Sequence, residues 1–179
     1  MKLILAVAFV AAFAYTPWAA AQSSSESPHP DPALKQLDFL IGTWRTEGDV
    51  KASIFGPADK IRGTDRYEWA VGGFFQVVHH EEQHSTGKTM VLKIVGYDPE
   101  KKVYTGRSFS NAGGVGESQG MLTGDTWIWS ASYDVNGETI KTRSVSKPIS
   151  PRSIEWKWQI MRPGGEWTTV ETGKSTKAD

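Results

Sequence analysis

The sequence predicts an all-β fold, an antiparallel barrel of roughly ten strands with a short helix at its N-terminal end. Three observations point there. From Gly42 onward, β-branched and aromatic runs of about six to ten residues alternate with Gly, Pro, Asn and Asp. The connections carry hairpin chemistry, as in Val135-Asn136-Gly137-Glu138 and Arg162-Pro163-Gly164-Gly165. Roughly ten short strands in hairpin order leave two unpaired edges unless the sheet closes on itself.

The first residues, MKLILAVAFVAAFAYTPWAAAQ, combine Lys2, an apolar run from Leu3 to Ala14 and small residues at Ala19 and Ala21. This is the order of a cleavable secretory signal, residues 1–21, and it implies a periplasmic or secreted protein. The apolar run is too short to span a bilayer, and no later segment approaches the roughly 20 apolar residues a membrane helix needs. Residues 22–32 are polar and proline-rich and read as a flexible leader. What remains, residues 33–177, is the length of one domain.

Composition narrows the function classes. Lys plus Arg and Asp plus Glu both number 20 in the 179-residue chain. That balance leaves no broad basic face to gather phosphate backbones, so nucleic acid is not an expected partner. There is no cysteine, which excludes disulfides, thiolate metal ligands and a thiol nucleophile. Tryptophan is abundant, eight in the chain, and each can bury a large apolar area.

Taken in order, Asp31 and Pro32 open a short helix whose apolar positions are Leu34, Leu37, Leu40 and Ile41. The expected strands are then 43–51, 64–71, 74–83, 90–97, 103–109, 115–122, 126–134, 139–146, 153–161 and 167–175. Alternation assigns faces in some of them. Ile154, Trp156, Trp158 and Ile160 share one face, as do Trp127, Trp129, Ala131 and Tyr133. Elsewhere a cation shares the apolar parity, Arg107 with Val103 and Phe109, and Arg143 with Val145. If those apolar residues face inward, a guanidinium enters the barrel and needs a partner or a ligand.

The stretch LKQLDFLIGTWRTEG, then GYDPEKKVYTG, NGETIKTRSV and GGEWTTVETGKSTK, resembles a widespread bacterial family known as a domain of unknown function. That family is calycin-like, akin to lipocalins, fatty-acid-binding proteins and nitrobindins, and the resemblance runs from about Leu34 to Lys177. It implies that Trp44 of Gly42-Thr43-Trp44 plugs one barrel end beneath a basic side chain, Lys174 or Arg162. Nitrobindins bind haem through a late histidine. This chain has none after His84, so that ligand does not carry over and no cofactor is expected.

His80-Glu81-Glu82-Gln83-His84 matches H-E-x-x-H, the zinc-peptidase pattern. The pattern works only on a helix, where positions i and i+4 lie about 6 Å apart on one face. On a strand, at roughly 3.3 Å per residue, the same imidazoles are about 13 Å apart and Glu81 points the other way. The flanks FFQVV and Gly72-Gly73 favour a strand, so no metal site is expected. Whether His79 or His80 faces inward stays open.

A barrel of this size can enclose one small ligand. The candidate contacts are Trp129, Trp158, Arg107, Arg143 and His80, which together suit an amphipathic or largely apolar molecule with an anionic group. The expected function is small-molecule binding without chemistry and no catalytic residue is assigned. The alternative is an isomerase, cyclase or lyase using the same lumen with a histidine acid or base. A zinc hydrolase is third.

Overall fold

A computed structural model describes residues 28–179. The signal segment and most of the leader lie outside the described residues. Ten antiparallel strands, each bonded to its sequence neighbours, form one closed barrel in which β1 (Gly42–Val50) pairs with both β2 (Asp59–Ala70) and β10 (Thr168–Lys177). Between them run β3 (Phe75–His84), β4 (Gly87–Asp98), β5 (Val103–Ser110), β6 (Val115–Thr123), β7 (Thr126–Val135), β8 (Glu138–Ser150) and β9 (Ser153–Met161). Among the described residues, closure leaves none of the ten strands as a sheet edge.

The N-terminal helix spans Pro32–Leu40 and is a 3-10 helix. Asp31 caps it, its carboxylate accepting from the Ala33 N–H at 2.8 Å. Leu34, Leu37 and Leu40 recur every three residues, the period of a 3-10 turn, so one edge of the helix carries them all. Leu34 and Leu37 are buried against Val78, Val95, Tyr104 and Trp127, which closes one end of the barrel.

Trp44 plugs that end. It is 1% exposed, and its indole N–H donates to the Leu40 carbonyl at 2.7 Å. The basic cover is Lys177, neither Lys174 nor Arg162. Its ammonium lies 5.5 Å from the Trp44 ring and donates to the Phe39 carbonyl at 3.0 Å. Register decides this, since Lys177 is the β10 residue opposite Trp44.

Three strands run longer than the sequence suggests by four residues or more. β2 begins at Asp59 because Asp59 pairs with Val50 across the hairpin, and β4 begins at Gly87 against His84. β8 continues past Pro148 to Ser150, where the ladder to β9 shifts register. A bulge of that kind accommodates a residue with no N–H to donate. Asn136 and Gly137 both have positive φ, 52° and 82°, the tight turn that an Asn-Gly pair favours.

Candidate functional site

Alternation along the strands separates a lumen from the outer wall. On β3 the inward residues are Gln76, Val78, His80, Glu82 and His84, while His79 and Glu81 point out. His79 pairs with Glu68 at 3.1 Å, and Glu81 pairs with Lys88. The inward histidine of the HEEQH stretch is therefore His80. The zinc-peptidase geometry is absent: the segment is a strand and Glu81 faces solvent. Among the described residues no three His, Asp or Glu side chains are placed to hold one ion.

The lumen has a volume of about 340 Å³ and is bounded by Trp44, Trp127, Trp129 and Trp156. Two of these rings lie flat because glycines make room. Gly120 is opposite Trp129 in register, and a Cβ there would fall 2.8 Å from the ring. Gly48 and Gly173 are paired with each other and lie beneath Trp156, where a Cβ on Gly48 would fall 2.9 Å from the indole. Absent side chains on three strands thus create the floor and wall of the cavity.

Within this apolar shell lies a set of charges. Asp65 and Tyr67 enter from β2, His80 and Glu82 from β3, and Lys93 from β4. Asp65 accepts from His80 Nδ1 at 2.8 Å, and His80 Nε2 lies 4.0 Å from Glu82. Glu82 also lies 2.9 Å from His84 Nε2. Glu171 of β10, opposite Val50 and Trp158 in register, is not part of the cavity lining but is near enough for its charge to act on His80 and to feel that of Glu82.

The environment shifts these groups. Burial disfavours the His80 cation, but the hydrogen bond to Asp65 and the charges of Asp65, Glu82 and Glu171 outweigh it and raise its pKa above 6.5. Burial, reinforced by Glu82 and opposed by His80, pushes the Glu171 carboxyl up to about 7. Burial likewise lowers the Lys93 ammonium to about 8, with only partial compensation from Asp65. Burial, with the Asp65 charge, raises the Tyr67 phenol well above 10.

Lys93 is the unusual member. Its Nζ lies 3.7 Å from the centre of the Trp129 ring and, among the described residues, forms no ion pair. A cation over an indole face is favourable, yet it leaves donors of the ammonium free toward the lumen.

The structure therefore redistributes the sequence candidates. Trp129 and His80 line the lumen. Trp158 faces inward but belongs to the opposite end, packed on Ile140, Ile160 and Val170 with the Phe55 ring 5.0 Å away. Arg107 and Arg143 do not enter the lumen. Arg107 is on the outer wall, 62% exposed and 4.0 Å from Glu117. Arg143 donates to Gln159 at 2.7 Å and stacks 4.2 Å from Trp167.

The parity argument fails at Arg107 for a definable reason. Phe109, which shares its face, packs outward between its cross-strand neighbours Leu92 and Val115. The inside of β5 is given to Tyr104, Gly106 and Ser108, Gly106 leaving space for Trp129.

Asp65, Glu82, Glu171, Tyr67 and Lys93 are not among the ligand contacts expected from sequence. A signal for one of them exists: Asp65 shares its parity with Tyr67 and Trp69, whereas on β4 both parities are apolar and Lys93 has none.

Solved structures resemble this chain at low sequence identity. The S-type phycobiliprotein lyase CPES from Guillardia theta superposes with a TM-score of 0.53 at 12% identity, over 82% of this chain and 93% of that one. Rv2717c from M. tuberculosis gives a TM-score of 0.49 at 12% identity, over 84% and 100% of the two chains. A redesigned β-barrel, mFAP1, bound to DFHBI, gives 0.43 at 15% identity, over 78% and 96%. At such identities the lyase likeness speaks for the fold alone. No curated protein matches the sequence. A family model does match, over residues 29–177, the whole barrel with its end-closing helix. The chain belongs to that family, Protein of unknown function (DUF1579).

Proposed function

We propose that this chain is an exported carrier or receptor domain that binds one small aromatic molecule bearing an acidic group. The observation that carries the reading is the unpaired Lys93 ammonium inside a cavity walled by tryptophans. A ligand ring lying against Trp129 and Trp156 would bury apolar surface at about 25 cal/mol per Å². A carboxylate or phenolate at Lys93 would gain a charge-assisted hydrogen bond and relieve the unpaired buried charge. Pockets that combine an apolar lining with a few convergent polar groups are the usual form of small-molecule sites. The volume, about 340 Å³, suits a molecule of one or two fused rings.

Export rests on the N-terminal segment, residues 1–21, with its apolar core and Ala19-Ala20-Ala21. Native mass spectrometry of protein purified from its own envelope tests both halves. The expected result is a chain that begins near Gln22 and carries one copurified molecule of low mass. A chain retaining Met1 would contradict export. A ligand-free chain whose tryptophan emission is not quenched saturably by aromatic acids would contradict binding.

A further inference from the structure

The inward face of β3, where the HEEQH letters lie, carries an alternating series of imidazoles and carboxylates. It starts in the lumen with Asp65, whose carboxylate holds His80 Nδ1 at 2.8 Å. His80 Nε2 then faces Glu82 at 4.0 Å, and the other Glu82 oxygen lies 2.9 Å from His84 Nε2. His84 Nδ1 lies 3.9 Å from Asp59 at the barrel rim. Asp59 is fixed there by the N–H and hydroxyl of Ser85, at 2.8 and 3.0 Å. The two imidazole side chains are about one-quarter exposed, and Asp65, Glu82 and Asp59 less.

Each histidine thus addresses one carboxylate with each ring nitrogen. The His80–Asp65 contact is a hydrogen bond, and the other three are ion-pair approaches at 2.9 to 4.0 Å. An imidazole that accepts a proton on one nitrogen can release one from the other, and a carboxylate can pass it on. A period-2 strand is what makes this possible, since residues 80, 82 and 84 stack along one face.

We propose that this strand is a proton relay from the rim to the lumen, and that His80 exchanges a proton with a small, weakly acidic aromatic ligand bound beside Lys93. The inference rests on the binding reading given above. In the exchange, the ligand O–H bond breaks and an N–H bond forms at His80 Nε2. The bonding pair stays on the ligand oxygen, whose charge is met by the Lys93 ammonium. The proton then passes from His80 Nε2 to Glu82, from Glu82 to an unprotonated His84 Nε2, and from His84 Nδ1 beside Asp59 to water at the rim, so the step needs no other reactant.

The groups facing His80 are Asp65 and Tyr67 from β2, Glu82 on its own strand, Lys93 from β4 and Glu171 from β10. Those facing His84 are Glu82 and Asp59. Burial opposes the His80 cation, but the hydrogen bond to Asp65 and the charges of Asp65, Glu82 and Glu171 together outweigh it and raise the His80 pKa from its ordinary 6.5, which favours the proton on the imidazole.

Two measurements decide the proposal. In protein with isotope-labelled histidine, NMR reads the exchange of the His80 ring N–H with water in the absence of ligand. Glu82→Gln and His84→Gln are each expected to slow it by about tenfold or more, since removing one link breaks a relay. Unchanged or faster exchange in both variants overturns the relay. The second measurement uses 4-nitrophenol, whose phenolate absorbs in the visible. Bound dye is expected as phenolate in the wild type and as neutral phenol in Lys93→Met. Bound dye that is neutral in the wild type overturns the proton exchange with ligand. Absence of dye binding by equilibrium dialysis contradicts the binding reading itself, while the ligand-free exchange rates decide the relay independently.

Discussion

Lys93 is held in a cavity it would leave if stability alone governed the sequence. Its ammonium is desolvated, its pKa falls to about 8, and its close neighbour is the Trp129 ring instead of a carboxylate. Replacing it with Met keeps the volume and removes the buried charge. Lys93→Met is therefore expected to raise stability in urea by roughly 1–3 kcal/mol while weakening any acidic ligand. Gly120→Ala should act in the opposite sense. A methyl 2.8 Å from the Trp129 ring forces the indole into the lumen, at a cost of about 1–3 kcal/mol. The same urea titrations measure it. At this scale the sequence was only partly legible. The candidate His80 lies in the lumen, but the inward cation is Lys93, not an arginine. Leu92 and Ile94 on one parity of β4 match Val91 and Val95 on the other, so apolar content could not say which face carried Lys93 inward.

Elements show why the barrel end is firm and why β3 is special. Trp44 is fully packed between the N-terminal helix and the barrel, and Leu40 and Lys177 hold its two sides. Trp44→Ala should cost about 3–5 kcal/mol, read as a lower melting temperature and denaturant midpoint, with little loss of strand signal in circular dichroism. The strands themselves were legible because hairpin glycines and β-branched runs report local geometry. Boundaries drifted where pairing overrode local signal. The charged start of β2, Asp59-Lys60-Ile61-Arg62, reads as loop until β1 supplies its partner, and Pro148 reads as a stop until the bulge absorbs it. On β3 the motif's letters were visible and its meaning was set by period. Spacing that gathers ligands around zinc on a helix distributes them along a strand, where Glu82 joins the two histidines.

For the whole molecule, the lumen charges fix how stability follows pH. Glu171 has a folded pKa of about 7, above its ordinary 4.5, so its contribution is complete below 4.5 and is lost as pH rises to about 7. His80 acts in the same direction: its contribution is complete below 6.5 and is lost as pH passes through its raised value. Lys93 is lowered from 10.5 to about 8, so its contribution is present above 10.5 and is lost as pH falls through about 8. Linkage then gives a shallow minimum of stability near pH 7 to 8. Urea midpoints measured from about pH 5 to about pH 10 should trace it, and Glu171→Gln should flatten its acid side. The barrel that encloses these charges was foreseeable from strand number and hairpin order. Their mutual placement was not, because Asp65, Glu82, Lys93 and Glu171 come from four strands and meet only through closure. The central claim is that this closed space holds one aromatic acid through Lys93, and titration calorimetry with 2-naphthoate at neutral pH tests it most directly. Saturable binding at one site, weakened at least about tenfold in Lys93→Met, is the expected result. No saturable binding, or equal affinity in the two proteins, would contradict it.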